Sequence, residues 1–251
     1  MTLVSIVGGP GVLLGALHGL QPSAKGVATV ELSISNAILT IKFTNPSKSV
    51  FYKTSLTLDL NDPSGGGLAC QVFLKDFVNA LQCCSGFQQL DIEFDPLNSS
   101  LVRLCCSDTE SGFSCEIRTV DLILSYDFPP SILLASFKLD CEVAGTAFAQ
   151  CHDSGIDKVF LSLSGQVELR CSSPGGCDTH VVIPERLLQN ISCESGLTEM
   201  TLPGKEIGVI TSFLSCSGKC DVELSSSGIL FRKVLVTGNE ADLVVCACEN
   251  Y

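Results

Sequence analysis

The sequence predicts an α+β fold of two tandem similar domains, each built from an antiparallel sheet and two helices. Three observations support this prediction. Apolar residues alternate with polar ones in many short stretches, four other segments have helical periodicity, and the same order of elements returns about 131 residues further along the chain. Apolar residues make up 45% of the 251 residues and charged residues only 17%, which is enough apolar surface for a large core.

Four segments carry apolar residues at the spacing of one helical face. The clearest contains Leu74, Phe77, Val78 and Leu81, which follow the spacing i, i+3, i+4, i+7. The predicted helices lie near residues 10–21, 72–84, 142–153 and 204–215.

Between these segments the apolar period falls to two, which is typical of strands with one buried face. The alternating stretches include 30–34, 56–60, 90–94, 159–163 and 222–224. Turn signals such as Asn45-Pro46 and Gly238-Asn239 separate the strands. Short, numerous strands of this kind indicate an antiparallel sheet.

The two halves of the chain also resemble each other in their residues, not only in the order of their elements. Asp91-Ile-Glu-Phe94 is matched by Asp221-Val-Glu-Leu224, and residues 79–86 resemble residues 211–218. This repetition favours a tandem duplication. The segment around Tyr126-Asp-Phe-Pro-Pro130 favours extended backbone, which predicts a connector. The predicted organisation is a first domain over 1–117, a connector over 118–135 and a second domain over 136–251.

Charge and hydropathy exclude several classes of protein. Fifteen Lys and Arg against twenty-seven Asp and Glu give a formal charge of −12. An acidic chain binds nucleic acid poorly without help, because affinity for phosphate comes from clustered Lys and Arg. The apolar runs are shorter than the roughly 20 residues that span a bilayer, and the first residues lack the basic flank of a secretory signal. We therefore expect no membrane partner.

The fifteen cysteines are an odd number and lie mainly within apolar segments, as buried free thiols do. This pattern favours a reducing compartment. No Cys-x-x-Cys is present and the three histidines are scattered, so the sequence predicts no metal site. The nearest zinc pattern, Cys171, Cys177 and His180, lacks a second pair of ligands.

Catalytic motifs are absent from the sequence, and we expect a chain that is not an enzyme and that has no catalytic residues and no cofactor. It contains no Gly-x-Ser-x-Gly, no phosphate-binding Gly-x-x-x-x-Gly-Lys and no His-Glu-x-x-His. The acidic pairs Asp91/Glu93 and Asp221/Glu223 alternate with apolar residues, which indicates the solvent side of a sheet rather than a two-metal site.

From Leu3 to Tyr251 the order of elements, the length and the connector resemble the sliding-clamp family, whose replicative member is proliferating cell nuclear antigen. Within this family the chain is most similar to the Rad-one-like subunits of DNA-damage checkpoint clamps. The stretches that carry this likeness are 68–84, 101–106, 115–118 and Val244-Val-Cys-Ala-Cys248. No short signature motif defines the family.

The resemblance implies a DNA-clamp fold in which three subunits close a ring around duplex DNA. It also implies a nuclear, non-catalytic subunit of a heterotrimeric clamp that recruits other proteins in DNA-damage checkpoint signalling and repair. The implied partners are Rad-nine-like and Hus-one-like clamp subunits, a clamp loader, double-stranded DNA inside the ring, and repair and signalling proteins.

The resemblance assigns two further surfaces. Ring closure would pair an edge strand near 112–118 with one near 178–183 of the next subunit, which gives these interface residues: Gly112, Phe113, Cys115, Ile117, Arg118, Thr179, Val181, Val182 and Ile183. A groove beneath the connector would bind partner peptides through Leu122, Ile123, Leu124 and Phe128. Alternatively, Leu122 and Leu124 only attach the connector to its own sheet.

The predicted helices depart from the family in their charge. Clamp helices present Lys and Arg to DNA, yet Lys75 and Lys205 are the only such residues in the four segments. Both could face DNA or be ordinary solvated lysines. Acidic residues lie in or beside these helices, so a ring of three identical chains would bind DNA poorly. Two alternatives to the checkpoint subunit remain: a homotrimeric replicative clamp, and a Cys-rich extracellular β-protein with paired thiols.

Overall fold

A computed structural model gives the structure of the chain and describes residues 2–6, 8–20, 28–59, 68–94, 100–121, 131–152, 155–173, 175–193, 196–235 and 238–248. The first half contains β1 (Thr2–Ile6), α1 (Pro10–Leu17), β2 (Thr29–Ser35), β3 (Ile38–Thr44), β4 (Val50–Asp59), β5 (Leu68–Phe73), α2 (Leu74–Cys83), β6 (Gln89–Phe94), β7 (Leu101–Ser107) and β8 (Gly112–Val120).

The second half contains β9 (Leu133–Asp140), α3 (Cys141–Gln150), β10 (Lys158–Leu163), β11 (Val167–Ser172), β12 (Asp178–Ile183), β13 (Gln189–Cys193), β14 (Thr198–Pro203), α4 (Ile207–Leu214), β15 (Lys219–Ser225), β16 (Gly228–Val234) and β17 (Glu240–Cys246). Within the described residues its element order repeats that of the first half, except for the additional strand β13.

The four predicted helices are confirmed, with shorter bounds. α1 ends at Leu17 and continues as a 3-10 turn over 18–20, and a 3-10 turn at Gly204–Glu206 precedes α4. The periodic residues Leu74, Phe77, Val78 and Leu81 of α2 are all buried. α3 begins at Cys141 and ends at Gln150, three residues before the predicted end.

All strand pairs are antiparallel, and the strands form two sheets. One has the order β1-β6-β7-β8-β5-β2-β3-β4-β17-β16-β15-β9-β13, and the other has the order β12-β11-β10-β14. β1 also pairs with β4, so the eight strands of the first half close on themselves. The predicted α+β class with antiparallel sheet is therefore confirmed.

The two halves are joined by direct strand pairing. β4 pairs with β17 from Val50↔Val245 to Thr54↔Ala241, so one sheet continues from the first half into the second. The backbone hydrogen bond from Cys246 N to Ser49 O, at 2.8 Å, extends this junction.

The helices cover the sheet on one side of this junction. The Tyr52 hydroxyl on β4 donates a hydrogen bond to the Ala16 carbonyl of α1, and its ring packs edge-on against Phe213 of α4 with centroids 6.2 Å apart. Phe148 of α3 makes the same kind of contact with Phe231 of β16 at 5.6 Å. These aromatic side chains are buried. In the part of the chain that the structure describes, none of the helices has the length and apolar character needed to span a bilayer.

Candidate functional site

The four helices form one layer, whose solvent side we call the helical face. α1 packs on α2, and α3 packs on α4. The turn after α1 brings Gly19 so close to α4 that a Cβ on Gly19 would lie 2.9 Å from Phe213 Cα. Gly145 lets α3 approach α4 in a similar way, since a Cβ there would lie 3.3 Å from the Leu214 carbonyl oxygen.

The helical face has almost no net charge. Its exposed charged side chains on the described helices and the turn before α4 are Lys75, Asp76, Glu142 and Lys205. Lys205 is 66% exposed and lies 3.8 Å from the carboxylate of Glu206, which is buried. The remaining exposed positions are small or uncharged: Gly11, Gly15, His18, Asn79, Gln82, Cys83, Thr146, Ala149 and Gln150.

A cavity of about 680 Å³ opens on the helical face between α1, the end of α2, the end of α4 and the end of β16. Lys233 lines this cavity but is only 7% exposed. Its ammonium group donates to the Phe213 carbonyl oxygen at the end of α4 and lies 4.2 Å from the centre of the Phe213 ring. The cation therefore caps the negative end of the α4 dipole.

Sequence reasoning missed Lys233. The alternation of β16 could have identified it, because Lys233 lies on the same face of the strand as the buried residues Ile229 and Phe231. A lysine at such a position needs a buried partner for its ammonium group, and the α4 carbonyl supplies one.

The two strands predicted to form subunit interfaces both lie at free edges. Residues 112–118 of β8 pair with β7, and among the described strands none pairs with their other side. β12 pairs with β11 alone in the same described set. Each strand therefore presents unpaired backbone N–H and C=O groups, which can accept a strand from another chain.

The side chains of β8 differ in their exposure to solvent, and therefore in what they can contribute to an interface. Phe113 is 40% exposed and stacks on Phe87 with ring centroids 6.5 Å apart. Gly112 and Arg118 are exposed and Cys115 is half-buried, whereas Ile117 is buried in the core of its own chain. Ile117 can therefore contribute only its backbone to an interface.

On β12, Val182 is 42% exposed, Thr179 and Val181 are half-buried, and Ile183 is buried. A polar cluster joins this strand to β11. Glu168 accepts from the Arg170 guanidinium group and lies 3.2 Å from His180 Nε2. Hydrogen bonds from Arg170, Gln166 and His180 lower the pKa of Glu168 from 4.5 to about 2.

The predicted groove residues Leu122, Ile123, Leu124 and Phe128 lie outside the described residues, so the groove stays a prediction. Near the end of the predicted connector, Ile132, Leu133 and Leu134 are exposed, and β9 already begins at Leu133.

Three of the four acidic residues in the pairs on the sheets make ion pairs within the chain, and Asp91 accepts a hydrogen bond from the Ser5 hydroxyl. Glu93 contacts Arg103 at 3.2 Å, Asp221 contacts Lys138 at 3.0 Å, and Glu223 contacts Arg232 at 3.7 Å. All fifteen cysteines lie in described positions and are free thiols. In the residues that the structure describes, no group of His, Cys, Asp and Glu is arranged to hold a metal ion.

A continuous antiparallel sheet covered by a layer of four helices, with the same element order in both halves, is an architecture that this chain shares with a solved clamp structure. Among solved structures, the PCNA2–PCNA3 complex from Sulfolobus tokodaii contains a chain that matches 98% of this chain over 98% of its own length, with a TM-score of 0.78. The two sequences are 14% identical, so the likeness establishes the DNA-clamp fold. Neither a protein-family model nor a curated protein sequence matches the chain.

Proposed function

We propose that the chain is a non-catalytic subunit of a ring-shaped clamp that encircles double-stranded DNA. The observation that carries this proposal is that residues 112–118 of β8 in the first half and β12 in the second half each have one side without a strand partner on a clamp fold. Because free edges are templates for strand addition, β8 of one subunit and β12 of the next can continue a sheet around a ring. The helical face would then line the hole.

The ring that we propose is a heterotrimer with two other clamp-like subunits, of the Rad-nine-like and Hus-one-like kinds. Sequence-independent affinity for DNA comes mainly from neutralised phosphates. On the helical face Lys75 and Lys205 are balanced by Asp76 and Glu142, and the whole chain carries −12. Three such chains would surround DNA without net positive charge, whereas basic partners could supply it.

In the cell this subunit would act in the nucleus, where a clamp loader places the ring on DNA and repair and signalling proteins bind to it. The support for a checkpoint role rather than a replicative one is the resemblance of stretches 68–84, 101–106, 115–118 and 244–248, together with the absence of net positive charge on the described helical face.

The mass of the chain in solution tests the assembly. We expect size-exclusion chromatography with light scattering to give a monomer for the purified chain, and one copy of each subunit after mixing with the two clamp-like partners. A stable trimer of the chain alone would instead support the homotrimeric replicative clamp and overturn the heterotrimer. Titration of thiols in denaturant without reductant should find all fifteen cysteines reactive. Paired cysteines would favour the extracellular alternative.

Retention on DNA tests the encircling role. The assembled ring, loaded with ATP and a clamp loader on nicked circular DNA, should stay bound until the DNA is cut, and should then slide off the ends. Equal retention on circular and linear DNA would contradict topological binding. Replacing Lys75 and Lys205 together by Glu should lower retention and reduce its salt dependence if these lysines face DNA. An exposed lysine away from the helices, Lys53, gives the matched control.

A further inference from the structure

Three thiols meet where α3 begins and α4 ends. Cys141 is the first residue of α3, Cys216 lies in the turn after α4, and Cys220 lies on β15. The backbone fixes this meeting, since Cys141 N donates to the Gly218 carbonyl oxygen at 2.8 Å. The Cys141 thiol is within hydrogen-bond contact of both Cys216 and Cys220.

Of the three thiols in this cluster, Cys216 alone is exposed to solvent. Cys141 and Cys220 are buried, at 1% and 0% exposure, whereas Cys216 is exposed and lines the 680 Å³ cavity. A small solute that enters the cavity therefore meets the Cys216 sulfur first.

Positive potential surrounds the pair formed by Cys141 and Cys216. Lys233 Nζ lies 3.4 Å from Cys216 Sγ, and Cys141 lies at the positive end of the α3 dipole. The hydrogen bonds from Cys220 and Cys216, with the charge of Lys233, lower the pKa of Cys141 against the opposing effects of burial and Asp140. The hydrogen bond to Cys141 raises the pKa of Cys220, which therefore stays a thiol.

We propose that Cys141 and Cys216 form an oxidation site for small hydroperoxides, which convert the two thiols into a disulfide on the helical face. Burial raises the pKa of Cys216 although Lys233 opposes this effect, so the pair ionises first at Cys141. The Cys141 thiolate can then accept the proton of Cys216 across their hydrogen bond, and the exposed Cys216 sulfur, next to the Lys233 ammonium group, reacts as the thiolate. The Cys216 sulfur attacks the peroxide, the O–O bond breaks, and Cys216 becomes a sulfenic acid. The hydroxide that leaves takes the proton of Cys141 and departs as water.

The Cys141 thiolate then attacks the Cys216 sulfur. The S–S bond forms as the S–O bond breaks, and the second hydroxide takes a proton from solvent. Two electrons pass from the two sulfurs to the peroxide, which ends as two waters. The product covalently joins the start of α3 to the turn after α4.

Peptide mapping of the full chain tests this site. The chain is treated with hydrogen peroxide at neutral pH, its remaining thiols are blocked with N-ethylmaleimide, and it is digested without reductant. We expect a linked pair of peptides containing Cys141 and Cys216, lighter by two hydrogen atoms than the two thiol peptides and separated by dithiothreitol.

Variants separate this pair from general thiol oxidation. Cys216→Ser should abolish the link, and Cys177→Ser, which removes an exposed thiol between β11 and β12, should leave it unchanged. Cys141→Ser should leave Cys216 as a sulfenic acid that reacts with dimedone. Because Cys216 is exposed, Cys216→Ser tests the pair even if Cys141→Ser does not fold. A link from Cys216 to Cys220, or a Cys216 still free when Cys177 is oxidised, would overturn the proposal.

Discussion

The Ser49 hydroxyl donates a 2.6 Å hydrogen bond to Glu206 Oε1, and this bond joins the turn between β3 and β4 to the start of α4. The Asn45 side-chain amide donates to the same carboxylate oxygen at 3.1 Å, and Asn45 Oδ1 accepts from the backbone N–H groups of Ser49 and Val50. Because Glu206 is only 6% exposed, its carboxylate depends on these donors in place of water. The network therefore fixes the second half against the first.

Removing this carboxylate should weaken the junction. We expect Glu206→Ala to lower the free energy of unfolding by roughly 1–3 kcal/mol, because it removes the buried acceptor of the hydrogen bonds from Asn45 and Ser49 across the junction. Urea denaturation followed by circular dichroism measures the change. The control is Lys205→Ala, since this neighbouring side chain is exposed and should change the free energy by less than about 0.5 kcal/mol. Equal effects of the two substitutions would show that the network does not hold the junction.

The cap on α4 gives a second prediction. Lys233→Met keeps most of the apolar length of the side chain but removes the donor to the Phe213 carbonyl and the cation above the Phe213 ring. We expect a loss of roughly 1–3 kcal/mol in the free energy of unfolding, because the Phe213 carbonyl in the last turn of α4 loses its charged donor and keeps only the weak Cys216 thiol at 4.0 Å. Chemical denaturation measures this loss, and the control variant is Lys53→Met, which replaces an exposed lysine on β4. An unchanged midpoint for Lys233→Met would contradict it.

Acid titration of Glu168 gives a third prediction. In the folded state the pKa of Glu168 is about 2, below the ordinary 4.5. The ionised carboxylate therefore stabilises the fold through its hydrogen bonds, and this contribution is complete above the unfolded pKa. It is lost as the pH falls from about 4.5 through about 2. We expect Arg170→Gln to raise the pKa of Glu168, because the strongest hydrogen bond to its carboxylate disappears. NMR of the side-chain carboxyl carbon measures both values, and Lys158→Gln is the control. A pKa that does not move in Arg170→Gln would assign the depression to other groups.

The free edge of β12 gives a fourth prediction. Val182→Glu places a charge at the centre of this edge and should weaken assembly with the partner subunits by at least roughly tenfold, because a buried unpaired charge is costly. The matched control is Ile38→Glu, since both apolar side chains are 42% exposed and β3 already has strands on both sides. Light scattering and sedimentation compare the two variants. If both variants assemble like the wild type, β12 is not the pairing edge.

Local patterns predicted the elements of this fold well. The alternation at Val30, Leu32 and Ile34 corresponds to three buried side chains on β2, and the spacing in α2 identified its buried face. These patterns succeed because each face of a strand or helix is either buried or solvated along its length. Local sequence also predicted that many cysteines are buried, as Cys84, Cys106 and Cys151 are.

Features that depend on distant contacts could not be read from the sequence. No local signal predicts that residues 50–54 pair with residues 241–245, that Glu206 is buried beneath the Asn45 turn, or that Lys233 reaches the end of α4. Ile117 illustrates the same limit, because its strand was placed at an edge but its side chain lies in the core. Cys216 was not distinguished from the other cysteines, since its contacts come from α3 and β16.

The pairing of β4 with β17 has a consequence for the time course of synthesis. Roughly 190 residues separate these strands, so at 5–20 residues per second β4 waits roughly 10–40 s on the ribosome for its neighbour. Throughout this interval its edge over residues 50–54 can pair with any other nascent chain. We therefore expect the yield of soluble protein to depend on chaperones that shield the emerging first half, and to fall when translation is slowed between residues 60 and 240.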